Sequence, residues 1–150
     1  MNNSSKGKKK VLFLYTELAG YFLACISKLV DQHEVEVFIF RYPVNNEAPF
    51  KFNFGEKVNL YDRKDFDVRQ LLQKVEEIAP DLIFCSGWID KDYLKVCKKL
   101  KNRVPTIVGL DNQWKNTIKQ KLAGIVAPFT ILKYFSHCFL EKIFYYQTHS

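Results

Sequence analysis

The chain has 150 residues, of which 47% are hydrophobic and 26% charged, with a net charge of +7 and a pI near 9.2. That length suits one domain, able to bury about 70% of the surface its unfolded chain exposes. It holds no apolar run of the roughly 18 residues a membrane span needs, and the polar, basic start MNNSSKGKKK leads into too short an apolar core for a secretory signal, so export is not expected.

Residues 1–8 read as a disordered basic tail. Val11 to Tyr15 is a continuous apolar run without alternation, the pattern of a strand covered on both faces. From Ala19 to Val30 the apolar residues Phe22, Ile26, Leu29 and Val30 follow helical spacing. HEVEVFIFRY, His33 to Tyr42, predicts a second strand, stopped by Pro43 and the turn residues Asn45 and Asn46. After an irregular stretch, Lys57 to Asp62 is a short alternating strand suited to a sheet edge. DFDVRQLLQKVEEIAPD is the clearest helix: Asp65 or Asp67 can cap it, Val68, Leu71, Leu72, Val75 and Ile78 share a face, and Pro80 stops it.

The fourth strand, Asp81 to Ser86, is apolar and bounded by Gly87. A helix follows from about Asp90 to Lys101, with Tyr93, Leu94, Val96, Cys97 and Leu100 facing inward. Val104 to Leu110 is a fifth strand with Pro105 tolerated at its start. Trp114 to Tyr134 reads as helix interrupted near Gly124 and Pro128, Tyr134 to Leu140 as a sixth short strand, and residues 141–150 as an irregular tail. This alternation predicts an α/β fold over residues 9–140: a doubly wound, mostly parallel, Rossmann-like sheet in the order 3-2-1-4-5. In such a sheet, ligands bind outside the carboxyl ends of the strands where the strand order reverses. That directs attention to the loops Thr16–Gly20, Gly87–Asp90 and Asp111–Trp114.

Each loop carries two readings. YTELAGY has the single glycine Gly20 where a dinucleotide fingerprint needs three, and Glu17 puts negative charge where a phosphate would sit. Thr16 and Glu17 suit a polar, uncharged acceptor, while Gly20 lets backbone approach a ligand or eases the helix against the sheet. Asp90 and Asp92 form D-x-D, a spacing that holds a divalent cation in some sugar transferases; the alternative, preferred here, is that Asp90 caps the helix and Asp92 sits in its first turn. Trp88, beside Gly87, offers a flat face for a sugar or lipid ring, or packs on a neighbouring loop. Asp111, Asn112 and Gln113 gather hydrogen-bonding groups beside Trp114, the make-up of a carbohydrate site, or cap the next helix.

Other chemistry finds little support. Cys25, Cys85, Cys97 and Cys138 form no C-x-x-C pair and are expected to be reduced, buried thiols; His137 and Cys138, as strand neighbours, point to opposite faces, and no metal site is expected. No nucleophile elbow and no Cys–His pairing is present. The net charge suits nucleic acid, an anionic membrane or phosphorylated ligands, but it is spread over Lys8–Lys10, Lys98–Arg103 and Lys115–Lys121, consistent equally with solvated helix faces. KQKLAGIVAPFTILKYF could lie on a membrane surface or pack on the sheet with its lysines snorkelling.

KKVLFLYTELAGYFLACISKL, PDLIFCSGWIDKDYLKVCKKL and VPTIVGLDNQWK together resemble the N-terminal domain of GT-B glycosyltransferases, closest to the family 4 type, over Lys9 to Phe139. The resemblance implies a domain that receives a glycan or lipid-linked acceptor, with a second domain holding the nucleotide sugar across a cleft. It implies retaining transfer without a metal or other cofactor, no nucleic-acid partner, and a cytoplasmic location, with peripheral contact at the inner face of the membrane. Thr16 to Gly20 would match the first loop, and Gly87, Trp88, Asp111 and Asn112 would line the cleft, with Trp114 beside them. The donor half of that family does not follow Leu140, so a truncated product, inactive alone, is the expectation. The alternative is a stand-alone flavodoxin-like binding or regulatory module for a small phosphorylated ligand.

Overall fold

A computed structural model describes residues 7–16, 18, 20–42, 57–87, 90–110 and 131–140, with only the backbone for 110 and 137–140. The described strands are β1 (Lys9–Leu14), β2 (Val35–Arg41), β3 (Val58–Asp62), β4 (Leu82–Ser86), β5 (Thr106–Leu110) and β6 (His137–Leu140). Helices α1 (Gly20–Gln32), α2 (Val68–Ile78) and α3 (Lys91–Leu100) connect them, with a 3₁₀ turn at Arg63–Asp65 and helical residues at 131–134.

The six strands form one sheet in the order β3-β2-β1-β4-β5-β6, and every pairing is parallel. This is the expected Rossmann-like order, extended by β6, with β3 at the edge as its alternating pattern predicts. A flavodoxin-like sheet has the order 2-1-3-4-5, whereas here β3 lies outside β2. The flavodoxin-like alternative is therefore corrected at the level of topology.

The apolar strands split their side chains between two layers, which is why they show no polar alternation. Leu12, Leu14, Phe38, Phe40, Ile83, Cys85 and Val108 meet Leu71, Val75 and Ile78 of α2 and Tyr93, Val96, Cys97 and Leu100 of α3. On the other layer, Val37 and Ile39 meet Leu18, Phe22, Leu23, Ile26 and Val30, with Phe13 and Tyr15 packed alongside. Moves toward β3 and moves toward β6 require crossovers on opposite layers if each is right-handed. The position of α1 opposite α2 and α3 follows from that rule.

Local chemistry fixes the element ends. Asp67, rather than Asp65, caps α2: its carboxylate accepts from the amides of Arg69 and Gln70 at 2.7 and 2.9 Å, and the Gln70 side chain accepts from the Asp67 amide at 2.8 Å. Helix α2 ends where Ala79 turns left-handed, at φ 51°, just before Pro80. Gly109 is required by packing: a Cβ there would lie 2.3 Å from Cζ of Phe84, whose ring crosses from β4 over β5. Cys85 and Cys97 are buried free thiols as expected, and the neighbouring Cys85 thiol together with burial drives the Cys97 thiol upward. Cys25 departs from that expectation; it lies on the solvent side of α1 and is exposed.

Candidate functional site

The strand order reverses between β1 and β4, and their carboxyl ends meet there. The Thr16 amide leaves β1 and donates to Oγ of Ser86, the last residue of β4, at 3.1 Å. Gly87 follows with φ 86°, a left-handed conformation that a side chain disfavours. Gly20 opens α1, is exposed, and has nothing within 4 Å of where a Cβ would stand. Packing against the sheet is thus not what makes position 20 a glycine. Thr16, Gly20 and Gly87 therefore surround the reversal, as the sequence predicts. Glu17, Trp88, Asp111, Asn112 and Trp114 lie outside the described residues.

Beside this point sits a polar network that no single motif announces. Arg63, directly after β3, is buried, and its Nε donates to Oδ2 of Asp90 at 3.2 Å while Nη2 donates to Oδ2 of Asp92 at 2.6 Å. Its remaining Nη1 donates to the carbonyl of Phe66, and its guanidinium carbon lies 5.7 Å from the centre of the Tyr93 ring. Asp90 in turn caps α3, its Oδ1 accepting from the amides of Asp92 and Tyr93 at 2.7 and 3.1 Å. The hydroxyl of Tyr42, just past β2, donates to Asp90 Oδ2 at 2.6 Å. Tyr93, fully buried, donates its hydroxyl to the carbonyl of Tyr15 at 3.3 Å.

One network therefore ties together the carboxyl ends of β1, β2, β3 and β4. Burial pushes the Asp90 carboxyl upward, but the Tyr42 hydroxyl, the two α3 amides and the Arg63 charge outweigh it and hold the group below its ordinary value. The same bond to Asp90, with burial, raises the Tyr42 phenol, which stays a protonated donor at neutral pH. Burial above all raises the Tyr93 phenol. Asp90 and Asp92 are committed to the helix and the guanidinium, the cap arrangement that the sequence favours over a cation-holding D-x-D.

Tyr42, Arg63 and Ser86 are absent from the sequence-derived site. Their only signal is position, each at or directly after the end of a strand. The partnership of Arg63 with Asp90 spans 27 residues and exists only once α3 packs on the sheet face near the end of β3.

No family model and no curated protein matches the chain. Among solved structures, the chain is similar to the crystal structure of Acinetobacter baumannii MurG at 12% identity and a TM-score of 0.46. The match covers 78% of this chain and 39% of that one, so the chain spans about two fifths of its length. Among the described residues, no helix is long and apolar enough to cross a membrane, and no group of three His, Cys, Asp or Glu side chains is placed to hold a metal ion.

Proposed function

We propose that residues 9–140 form the acceptor-binding domain of a nucleotide-sugar-dependent glycosyltransferase of GT-B type. One observation carries this: the first-loop and fourth-strand segments that resemble that family converge at the β1–β4 reversal, where Thr16 bonds Ser86 and Gly20 and Gly87 leave backbone open to a ligand. The chemistry suits a polar acceptor. Backbone groups and hydroxyls lie at the strand ends, and the buried cation Arg63 beside them is already occupied by two aspartates. The first loop lacks the glycines of a dinucleotide site.

In this proposal the nucleotide sugar is held by a second domain facing these loops, and the domain alone does not turn it over. The acceptor is a glycan or a lipid-linked sugar, met at the cytoplasmic face of the membrane by a peripherally bound protein. The test is an NMR titration of the chain with a short-chain prenyl diphosphate-linked N-acetylglucosamine, and separately with uridine diphosphate N-acetylglucosamine. Amide shifts at Thr16, Gly20 and Gly87 with the acceptor support the proposal. Shifts confined to the opposite end of the sheet overturn it, and release of uridine diphosphate by the chain alone overturns the need for a second domain.

A further inference from the structure

The end of β2 has features that the proposed acceptor site does not yet use. Tyr42 stands there, one of three large apolar side chains that the described residues expose, with Tyr21 and Leu132. Single exposed aromatics are common and need no explanation when they rotate freely in solvent. Tyr42 is held. Its hydroxyl is bound to Asp90 at 2.6 Å, and its ring makes a T-shaped contact with Tyr93, with centroids 6.4 Å apart and planes at 63°. Both anchors are themselves fixed: Asp90 by Arg63 and two α3 amides, Tyr93 by full burial and its bond to the β1 end. Yet the residue remains 39% exposed.

A ring immobilised at its tip and against a neighbouring ring, yet still part exposed, loses little freedom when a ligand covers it. Because the hydroxyl is spent on Asp90, what Tyr42 offers is the ring itself. The electron-rich face of an aromatic ring attracts weakly positive C–H groups. Close by, the carboxylates of Asp90 and Asp92 are balanced by Arg63 and Lys95, cations that are already committed and not offered to a phosphate. A neutral sugar ring meets both conditions, whereas a nucleotide meets only the first.

We propose that the Tyr42 ring is a stacking platform for a neutral sugar ring of the acceptor, presented beside the β1–β4 reversal by the Arg63–Asp90 pair. This rests on the acceptor-domain proposal above and names a contact within it. Asp90 and Arg63 act as positioning residues, since they reach the sugar only through Tyr42.

The test measures binding of maltotetraose and of chitotetraose to the full chain by NMR, following the Tyr42 ring protons and the affinity. The expected result is an upfield shift of those protons with at least one probe. Tyr42→Phe, which keeps the ring but releases it from Asp90, should lower the affinity about two-fold, while Tyr42→Ala and Tyr42→Leu lower it about five-fold. Thermal unfolding separates lost stacking from lost fold, and Tyr42→Leu retains bulk if the alanine variant unfolds. Native-like affinity in both the alanine and leucine variants overturns the platform while leaving the acceptor site standing. A larger ring shift with uridine diphosphate than with either oligosaccharide also overturns it. If the native chain binds neither oligosaccharide nor the lipid-linked acceptor, the platform and the acceptor-domain proposal fall together.

Discussion

The two ends of the sheet are built from opposite materials. At the amino-terminal end, lysines close the structure on spent helix carbonyls: Lys10 Nζ donates to Ile78 O at 3.0 Å, Lys57 Nζ to Val30 O at 3.1 Å and Lys101 Nζ to Leu132 O at 2.6 Å. Asp81 adds a clasp, accepting from the Lys10 amide at 2.9 Å and from the Lys9 ammonium. These ammonium groups sit where the helices gather their negative ends, which favours cations there. At the carboxyl end a buried arginine holds two aspartates, two tyrosines brace the strand ends, and glycines leave backbone open. The first end satisfies groups that would otherwise face solvent, whereas the second fixes side chains in place near glycines whose Cβ positions are open. Ligand binding needs the second kind of construction, because pre-set geometry lowers the ordering cost on binding.

That contrast can be broken by substitution. Arg63→Ala should have the largest effect, lowering stability by about 3–5 kcal/mol in urea unfolding, because Asp90 is left buried without its counter-ion. A loss no greater than that from a lysine substitution at the other end would erase the distinction. Next comes Gly109→Ala, expected to cost about 1–3 kcal/mol through collision with the Phe84 ring, and to be partly rescued by Phe84→Leu. Gly87→Ala should cost about 1–2 kcal/mol through its left-handed backbone. Gly20→Ala, in open space at a helix start, should not lower stability at all, so any loss of acceptor binding in that variant reports on the ligand.

Acidification sharpens the comparison further. The Asp90 carboxyl is held below its ordinary value near 3.8, so its contribution is complete above that pH and is lost as pH falls through the depressed value. Asp81 is also depressed, chiefly by the Lys10 amide and the Lys9 ammonium, but it is exposed. Unfolding followed from pH 6 to pH 2, a range set about these values, should show Asp90→Asn removing more of the acid-dependent loss than Asp81→Asn. Equal effects would mean that burial of the Arg63 pair adds nothing. Lys10→Ala and Lys57→Ala should each cost less than about 1 kcal/mol by thermal unfolding.

Much of this was legible in the residue pattern. The unbroken apolar runs at Val11–Tyr15 and Asp81–Ser86 required two-sided burial, and helical spacing in Val68–Ile78 and Asp90–Lys101 placed the connecting helices. The choice of Asp67 over Asp65 as cap was not settled by residue type, since both can cap; the 3₁₀ turn at Arg63–Asp65 takes the first of them. Cys25 shows another gap. A cysteine within an amphipathic helix was expected to be buried, but its position on the helix circumference put it on the solvent side.

The site divides the same way. Thr16, Gly20 and Gly87 follow from strand ends and glycine content, both local properties of the chain. Tyr42, Arg63 and Asp90 form a unit only because β2, β3 and α3 converge, and a contact between residues 27 or 48 positions apart leaves no local trace. The sequence by itself determined the alternation of elements, the parallel sheet and the place where its order reverses, since periodicity and crossover handedness are set by short-range sterics. Only the tertiary structure decided which charges pair, which tyrosine is held rigid at the surface and which glycine is demanded by packing, because each depends on what the fold brings into contact.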